Sequence, residues 1–313
     1  MIPGVDLRDF MGDDPVKKSN FVEKLGKAYE DIGFVAVRGH LLADETSSHL
    51  YRQCEAFFNM PYEQKAKYEI AGLHGQRGYT SFGKEHAKGR NEGDLKEFWH
   101  FGQTVIGDDP IKEEYPKNVF VDELPDFGKY GIKAYKDLEE TGKYLLRAIA
   151  LYLGLEETYF DAKIHHGNSI LRPIYYPPIT DEPKSAVRAA EHEDINLITL
   201  LMGASAEGLE VLNRQNQWVA ITALPEQLVV NVGDMLQRLT NNKLKSTTHR
   251  VVNPPREKWS VPRYSIPFFL HPRSEMRLDC LSVCVDEKHP VQYEPISGGE
   301  YLNERLKEIG LKK

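Results

Sequence analysis

The segment Glu191-His192-Glu193-Asp194-Ile195-Asn196 sets an imidazole and a carboxylate two positions apart, at the start of an otherwise apolar run. In extended backbone, side chains two apart leave the same face. One imidazole and one carboxylate on a common face, joined by a second imidazole, form the facial set that suits non-haem Fe(II) and leaves positions open for an oxidant and dioxygen. A closed four-ligand structural site offers no such room. Alone, His-x-Asp is weak evidence, because the tripeptide arises by chance and then reads as a surface turn with a hydrogen-bonded histidine. The partner must be chosen among 11 histidines. Context favours His249, in the β-prone run Thr247-Thr248-His249-Arg250-Val251-Val252, far enough downstream for several strands to intervene before the chain returns to the same end of a β-core.

A second segment carries complementary chemistry. Pro262-Arg263-Tyr264-Ser265-Ile266-Pro267-Phe268-Phe269-Leu270 reads as a strand on which Arg263 and Ser265 share one face, with Tyr264 and Ile266 on the other. An arginine carried into a β-core needs an anion, and its planar fork matches a carboxylate, to which a serine hydroxyl can add a third bond. A dicarboxylic keto acid could chelate iron at one end and meet Arg263 at the other. A structural salt bridge to an internal Asp or Glu is the plainer reading, and the histidines upstream tip the balance away from it. Phe269 has the parity of Arg263 and Ser265, so it either lines a substrate chamber or packs in the core.

Other tempting residues receive plainer readings. His165-His166 is a loop pair without a nearby carboxylate or cysteine to complete a ligand set, and His271 is structural. Glu193 leaves the face opposite His192 and is solvated or paired. Arg77 and Arg90 lie in a Gly-, Lys-, Arg- and Glu-rich stretch from Gly75 to Gly93 that reads as a long surface excursion, which makes them exposed arginines rather than contacts to an acidic substrate.

The elements that must position these groups divide the chain in two. Asp14-Pro15 offers a cap and first-turn proline before Phe21, Val22, Leu25, Ala28, Tyr29 and Ile32 at helical spacing, with Gly33 as the stop. Phe34-Val35-Ala36-Val37 is a short buried strand closed at Gly39-His40, and a helix then carries Leu50, Cys54, Phe57 and Phe58. A long helix fits Tyr130 to Leu153, stopped by Gly154. After about residue 165, short β-branched and aromatic runs alternate with Gly, Pro and Asn turns. Strands are predicted over Ser169 to Tyr176, Val187 to His192, Leu197 to Met202, Leu209 to Leu212, Trp218 to Ile221, Leu228 to Val232, Thr247 to Val252 and Tyr264 to Leu270. This spacing points to a sandwich, jelly roll or barrel rather than a parallel α/β sheet. Ser297 and Glu300 form a capping-box pattern before a last helix with Tyr301, Leu302, Leu306 and Ile309.

Composition narrows the function classes. With 313 residues, 41% of them hydrophobic, the chain can bury a substantial core. A net charge of −7 supplies no general attraction for phosphate backbones or anionic lipid, so neither nucleic acid nor membrane is an expected partner. No basic leader and no membrane-length apolar run is evident, so a cytoplasmic location is expected. Cys54, Cys280 and Cys284 cannot build a disulfide framework or a zinc site and read as ordinary thiols.

Taken in order, His192-x-Asp194, His249-Arg250-Val251 and Arg263-x-Ser265 resemble the motifs of the iron and 2-oxoglutarate-dependent dioxygenase superfamily, in its isopenicillin N synthase-like branch. The similarity covers nearly the whole chain, from Ile2-Pro3-Gly4-Val5-Asp6-Leu7 through Asp31-Ile32-Gly33-Phe34, Phe57-Phe58-Asn59-Met60-Pro61, Gly78-Tyr79 and Asp94-Leu95-Lys96-Glu97-Phe98-Trp99-His100. Tyr175-Tyr176-Pro177-Pro178 matches a segment just before the metal motif of relatives, which implies that Tyr176 helps hold the cosubstrate. Many relatives carry asparagine two residues before that tyrosine, where this chain has Ile174, and the stretch from His249 to Arg263 is longer than in plant enzymes of the branch.

The resemblance implies a mainly β fold with flanking helices, a double-stranded β-helix (jelly-roll) core with iron at its open end. It implies a helical region over 1–115, a supporting long helix over 116–164, a catalytic core over 165–275 and a C-terminal extension over 276–313, all in one integrated domain. It implies Fe(II) held by His192, Asp194 and His249, with 2-oxoglutarate and O2 as cosubstrates. The expected reaction is oxidation, by default hydroxylation, of a small molecule with release of succinate and CO2. Two alternatives stand beside it: an oxidase of the same branch that needs no keto acid, and a non-catalytic small-molecule receptor on the same fold.

Overall fold

The computed structural model describes residues 2–73, 75–85, 93–183, 186–203, 207–222, 224 and 226–308. The amino-terminal helices form where the apolar spacing requires them. After strand β1 (Gly4–Asp6) and helix α1 (Leu7–Met11), helix α2 (Pro15–Asp31) starts at Asp14, whose carboxylate accepts from the backbone N–H groups of Val16 and Lys17. The helix gives way at Gly33, which has φ 73°; a Cβ there would lie 2.2 Å from the Lys245 carbonyl oxygen, so only glycine fits. Strand β2 (Phe34–Arg38), helix α3 (Asp44–Phe58) and the short α4 (Tyr62–Lys65) follow.

Next come strands β3 (Gly78–Thr80) and β4 (Glu97–Gly102), then the long helix α5 (Pro125–Tyr152), which begins one turn before the predicted start at Tyr130, and the short α6 (Asp161–Ile164). The remaining strands are β5 (Ile170–Leu171), β6 (Ile174–Tyr176), β7 (Ala189–His192), β8 (Ile198–Met202), β9 (Leu209–Leu212), β10 (Trp218–Ala220), β11 (Leu228–Val232), β12 (His249–Val251) and β13 (Arg263–Leu270). Each predicted strand is present; the one expected over Ser169 to Tyr176 is split around Pro173, which has no N–H to give to a ladder. Helix α7 (Asp234–Leu239), not anticipated, turns the chain after β11. Helix α8 (Gly298–Glu308) has the expected capping box, with Glu300 and Ser297 exchanging hydrogen bonds; Ile309 lies outside the described residues. No helix among the described residues is long and apolar enough to cross a membrane.

The strands make two sheets. One has nine strands along the path β1-β2-β11-β8-β13-β5-β4-β3, with β6 joining β13 and β4; the other runs β10-β9-β12-β7. Alternation along each strand of the larger sheet sorts its side chains into two layers. Val35 and Val37 of β2, Leu228, Val230 and Val232 of β11, and Ile266, Phe268 and Leu270 of β13 join the core shared with α2, α3 and α5. Their neighbours Phe34, Ala36 and Val229 face the other way and pack with Leu209 and Val211 of the smaller sheet. That second layer opens into the chamber described below, so strand parity decides which side chains reach it.

The stretch read as a surface excursion is corrected in part. Gly78–Thr80 is a buried strand paired with β4, and Arg77 is 1% exposed rather than a surface arginine. Its guanidinium lies flat over Gly102, where a Cβ would fall 1.8 Å from Cζ, and Nη1 donates to the Gln76 carbonyl oxygen. Arg90 lies outside the described residues.

One group in α5 makes the fold sensitive to pH. Glu139 is half-buried and accepts from Gln103 Nε2 at 2.9 Å; desolvation there pushes its carboxyl up to about 7. Because the folded value exceeds the unfolded one, its favourable contribution is present below pH 4.5 and is lost as pH rises through about 7. Glu139→Gln is therefore expected to stabilise the protein by about 2 kcal/mol at pH 8.5 and to have no comparable effect at pH 4.5. Urea denaturation at the two pH values checks this, and an equal shift at both would refute it.

Candidate active site

His192 ends β7 and His249 opens β12, and the antiparallel register sets the two residues directly opposite one another. Their rings stand 4.4 Å apart between centroids. Asp194 lies two residues beyond His192, in the turn leading to β8, so the extended reading of His-x-Asp holds only to the end of the strand. The turn nevertheless brings Asp194 Oδ1 to 3.8 Å from His192 Nε2 and 3.6 Å from His249 Nε2. One ligand atom from each of the three residues lies within 4.8 Å of the others, in the arrangement of a metal site.

The surroundings fix how these groups present themselves. His192 Nδ1 is 2.7 Å from the Ala190 carbonyl oxygen and His249 Nδ1 is 3.0 Å from that of Thr247. A carbonyl only accepts, so each Nδ1 carries a proton and each Nε2 is the ring nitrogen that faces Asp194. Asp194 Oδ2 accepts from Thr199 Oγ1 at 2.6 Å and from Asn231 Nδ2 at 2.8 Å, which leaves Oδ1 for a metal. Burial and the neighbouring His249 depress His192 to about 4. Burial opposes a charge on His249 as well, but Asp194 beside it holds that imidazole above its ordinary value. Burial also opposes ionisation of Asp194, and the two imidazoles together with the Asn231 amide outweigh it, keeping the carboxyl well below the usual range. Two imidazoles, with the His249 proton given up on binding, and one firmly ionised carboxylate are a donor set that fits Fe(II).

Thr199 and Asn231 are not singled out by the sequence reading. Each was findable by one signal: a polar residue at an inward parity within an apolar run, Ile198-Thr199-Leu200 and Val230-Asn231-Val232. Thr199→Val removes one of the two hydrogen bonds on Asp194 and is expected to weaken Fe(II) affinity by about 10- to 100-fold with the fold intact. Competition against a chelator of known affinity measures this; unchanged affinity would show that Thr199 does not orient the ligand.

The three groups open onto a cavity of about 230 Å³. Arg263, Ser265, Pro267 and Phe269 all line it, as their shared parity on β13 predicts. Arg263 is 1% exposed and pairs in register with Tyr176 of β6, its guanidinium 5.0 Å from the phenol ring centroid. Arg188, also buried, stands 6.0 Å from the centroid of that ring; burial and the like charge of Arg263 depress its pKa. His271, expected to be structural, lines the cavity as well. The His165-His166 pair does not: the rings stack on each other away from the metal set, with His166 near Asp109. Glu193 is exposed at the rim. Leu302 and Leu306 of α8 close one side, and Tyr301 anchors that helix by donating to Asp234 Oδ2 at 2.8 Å. Sequence periodicity marks this helix without indicating where its apolar face docks.

Comparison with known proteins agrees with this geometry. Residues 167–272 match the family described as the 2OG-Fe(II) oxygenase superfamily, and residues 2–123 match the N-terminal region of non-haem dioxygenases, described for morphine synthesis. A 2OG-Fe(II) oxygenase family protein from Caulobacter crescentus is similar at 42% identity with a TM-score of 0.89, over 98% of this chain and 99% of that one. A Neurospora crassa protein, solved at full length in complex with α-ketoglutarate and thymine, is 28% identical with a TM-score of 0.85, over 98% and 96%. The 2-oxoglutarate-dependent dioxygenase frbA of a Dothideomycetidae species is 32% identical over 91% of this chain and 90% of that protein. The chain belongs to the 2OG-Fe(II) oxygenase superfamily. Its core is the jelly roll of that class, and it is an Fe(II)- and 2-oxoglutarate-dependent dioxygenase that acts on a small molecule with O2 as cosubstrate. The keto-acid-independent oxidase and the silent receptor are not favoured.

Proposed function

We propose that His192, Asp194 and His249 hold one Fe(II), and that Arg263, Ser265 and Tyr176 hold 2-oxoglutarate. The observation that carries this reading is the convergence of two Nε2 atoms and one carboxylate oxygen at the end of the cavity that Arg263 also lines. When bound, Fe(II) supplies with 2-oxoglutarate and dioxygen the oxidising power that hydroxylates an unactivated carbon, the keto acid leaving as succinate and CO2. The chain contributes geometry. Thr199 and Asn231 keep Asp194 aimed at the metal, and the carbonyls of Ala190 and Thr247 keep both imidazoles in the metal-binding tautomer. Arg263 neutralises the far carboxylate of the keto acid and Ser265 adds a hydroxyl to it. Phe269 forms part of the substrate wall, while Leu302 and Leu306 help exclude water.

The small-molecule substrate is met in the cytoplasm, without nucleic acid or membrane as partner; the net charge of −7 supports this. The regions 1–115 and 116–164 serve as supports to a catalytic core over 165–275, with the extension over 276–313 contributing the wall formed by α8. Anaerobic addition of 2-oxoglutarate to the Fe(II) protein tests the reading: a metal-to-ligand charge-transfer band is expected, followed on admission of air by succinate in step with oxygen consumed. Oxygen consumption without succinate would instead favour the oxidase.

A further inference from the structure

Beyond the metal and keto-acid groups, the cavity has a second polar wall of unusual charge density. Lys96 Nζ lies 2.7 Å from Glu85 Oε1 and 2.9 Å from Asp94 Oδ2. Arg172 Nη1 lies 3.1 Å from the same Glu85 oxygen, and its Nε donates to His100 Nε2 at 2.5 Å. Arg172 only donates, so His100 Nε2 accepts and the ring is neutral, as burial among these cations requires. The wall thus carries two positive and two negative charges, and its net charge is zero. The groups that line the loaded centre balance too: the charges of Fe(II) and Arg263 equal those of Asp194 and a dianionic keto acid, and Arg188, beside the Tyr176 ring, is not among the residues that line the cavity. An anionic or cationic substrate would enter this space with no counter-charge, which a buried site penalises strongly.

Polar recognition is nevertheless built in. Glu85 is 8% exposed, and its Oε2 is buried with no hydrogen-bond partner among the described residues, as is Oδ1 of Asn168 on the same wall. Arg172 is pinned between the rings of Phe98 and Phe269, its Cζ 4.4 and 5.2 Å from their centroids, so its fork is held beside Phe269. A fixed guanidinium donor next to an unused carboxylate acceptor matches a carbonyl adjacent to an N–H, and a buried polar atom left without a partner costs about 1–3 kcal/mol until something fills it.

We propose that the prime substrate is a small uncharged molecule bearing an adjacent C=O and N–H, a cyclic amide or imide edge, with Arg172 donating to the carbonyl and Glu85 accepting from the N–H. This rests on the functional reading above. Three probes separate the possibilities on the anaerobic Fe(II)·2-oxoglutarate protein, followed by calorimetry and by the charge-transfer band: uracil, 1,3-dimethyluracil, which lacks both N–H groups, and orotate, which adds a carboxylate.

Uracil is expected to bind at least tenfold more tightly than either of the others. Glu85→Gln leaves a net positive charge on the wall and is expected to shift the orotate-to-uracil affinity ratio at least tenfold toward orotate. Arg172→Gln is expected to shift it the opposite way, and the retained charge-transfer band shows in each case that the centre is folded and loaded. Failure of uracil to bind, orotate binding as tightly as uracil, or a ratio unmoved by both variants would overturn the proposal. Absence of the band in the wild-type protein would instead overturn the metal and keto-acid assignment, so the two failures are distinct.

Discussion

Asp194→Ala is expected to abolish iron retention and to lower turnover by more than the roughly 100-fold that marks the upper end of outer-shell effects. The substitution removes the single anionic donor and takes from Thr199 Oγ1 its acceptor and from Asn231 Nδ2 its shorter one, in a buried place where an unsatisfied polar group costs about 1–3 kcal/mol. A binding readout separates lost metal from lost fold. At a free Fe(II) concentration about 100 times its Kd, the wild-type protein gains about 2.7 kcal/mol against unfolding, while the variant gains nothing. Protons compete for the same site. His249 is held above the ordinary imidazole value by Asp194, so Fe(II) must displace its proton, and affinity is lost as pH falls through that raised value. His192, at about 4, offers no competing proton until much more acidic conditions. Fe(II)-dependent stabilisation of the Asp194→Ala protein equal to that of wild type would remove Asp194 from the site.

Arg263→Gln is the second large effect. A buried guanidinium meeting a carboxylate is worth about 2–5 kcal/mol when one partner is truncated. The KM for 2-oxoglutarate is thus expected to rise roughly 30-fold or more, with much less change in kcat at saturating keto acid, because the role proposed for Arg263 is to hold the cosubstrate and not to touch the reacting carbon. Arg188, beside the same Tyr176 ring, keeps part of the positive field and sets a ceiling on the loss. Steady-state kinetics with 2-oxoglutarate varied will decide: a defect confined to the prime substrate, with keto-acid KM unmoved, would place Arg263 elsewhere in the reaction.

Sequence reading reaches the parts of the site that local pattern controls. Arg263, Ser265 and Phe269 are legible because alternation along a strand places residues two apart on one face, and His192 and Asp194 because their two-residue spacing stays together although the strand ends at His192 and Asp194 lies in the turn beyond it. His249 is found by context, and register makes it the direct cross-strand partner of His192. Polar residues whose burial depends on distant partners are not legible. Glu97 sits in a strand buried on both faces, where Lys65 at 2.6 Å and the Tyr79 hydroxyl satisfy it from elsewhere in the chain. Its neighbours Lys96 and His100 are held by Glu85 and Arg172 in the same non-local way. A run of charges read along one dimension looks like solvated surface; only folding brings the counter-charges into contact. Arg77 misleads for the same reason, its burial depending on the bare backbone of Gly102.

The most direct test of the account is a crystal grown anaerobically with Fe(II) and examined at the iron absorption edge. One anomalous peak per chain is expected, within bonding distance of His192 Nε2, His249 Nε2 and Asp194 Oδ1 together. A peak that misses any one of the three, or none at all in protein that is demonstrably folded, would contradict it.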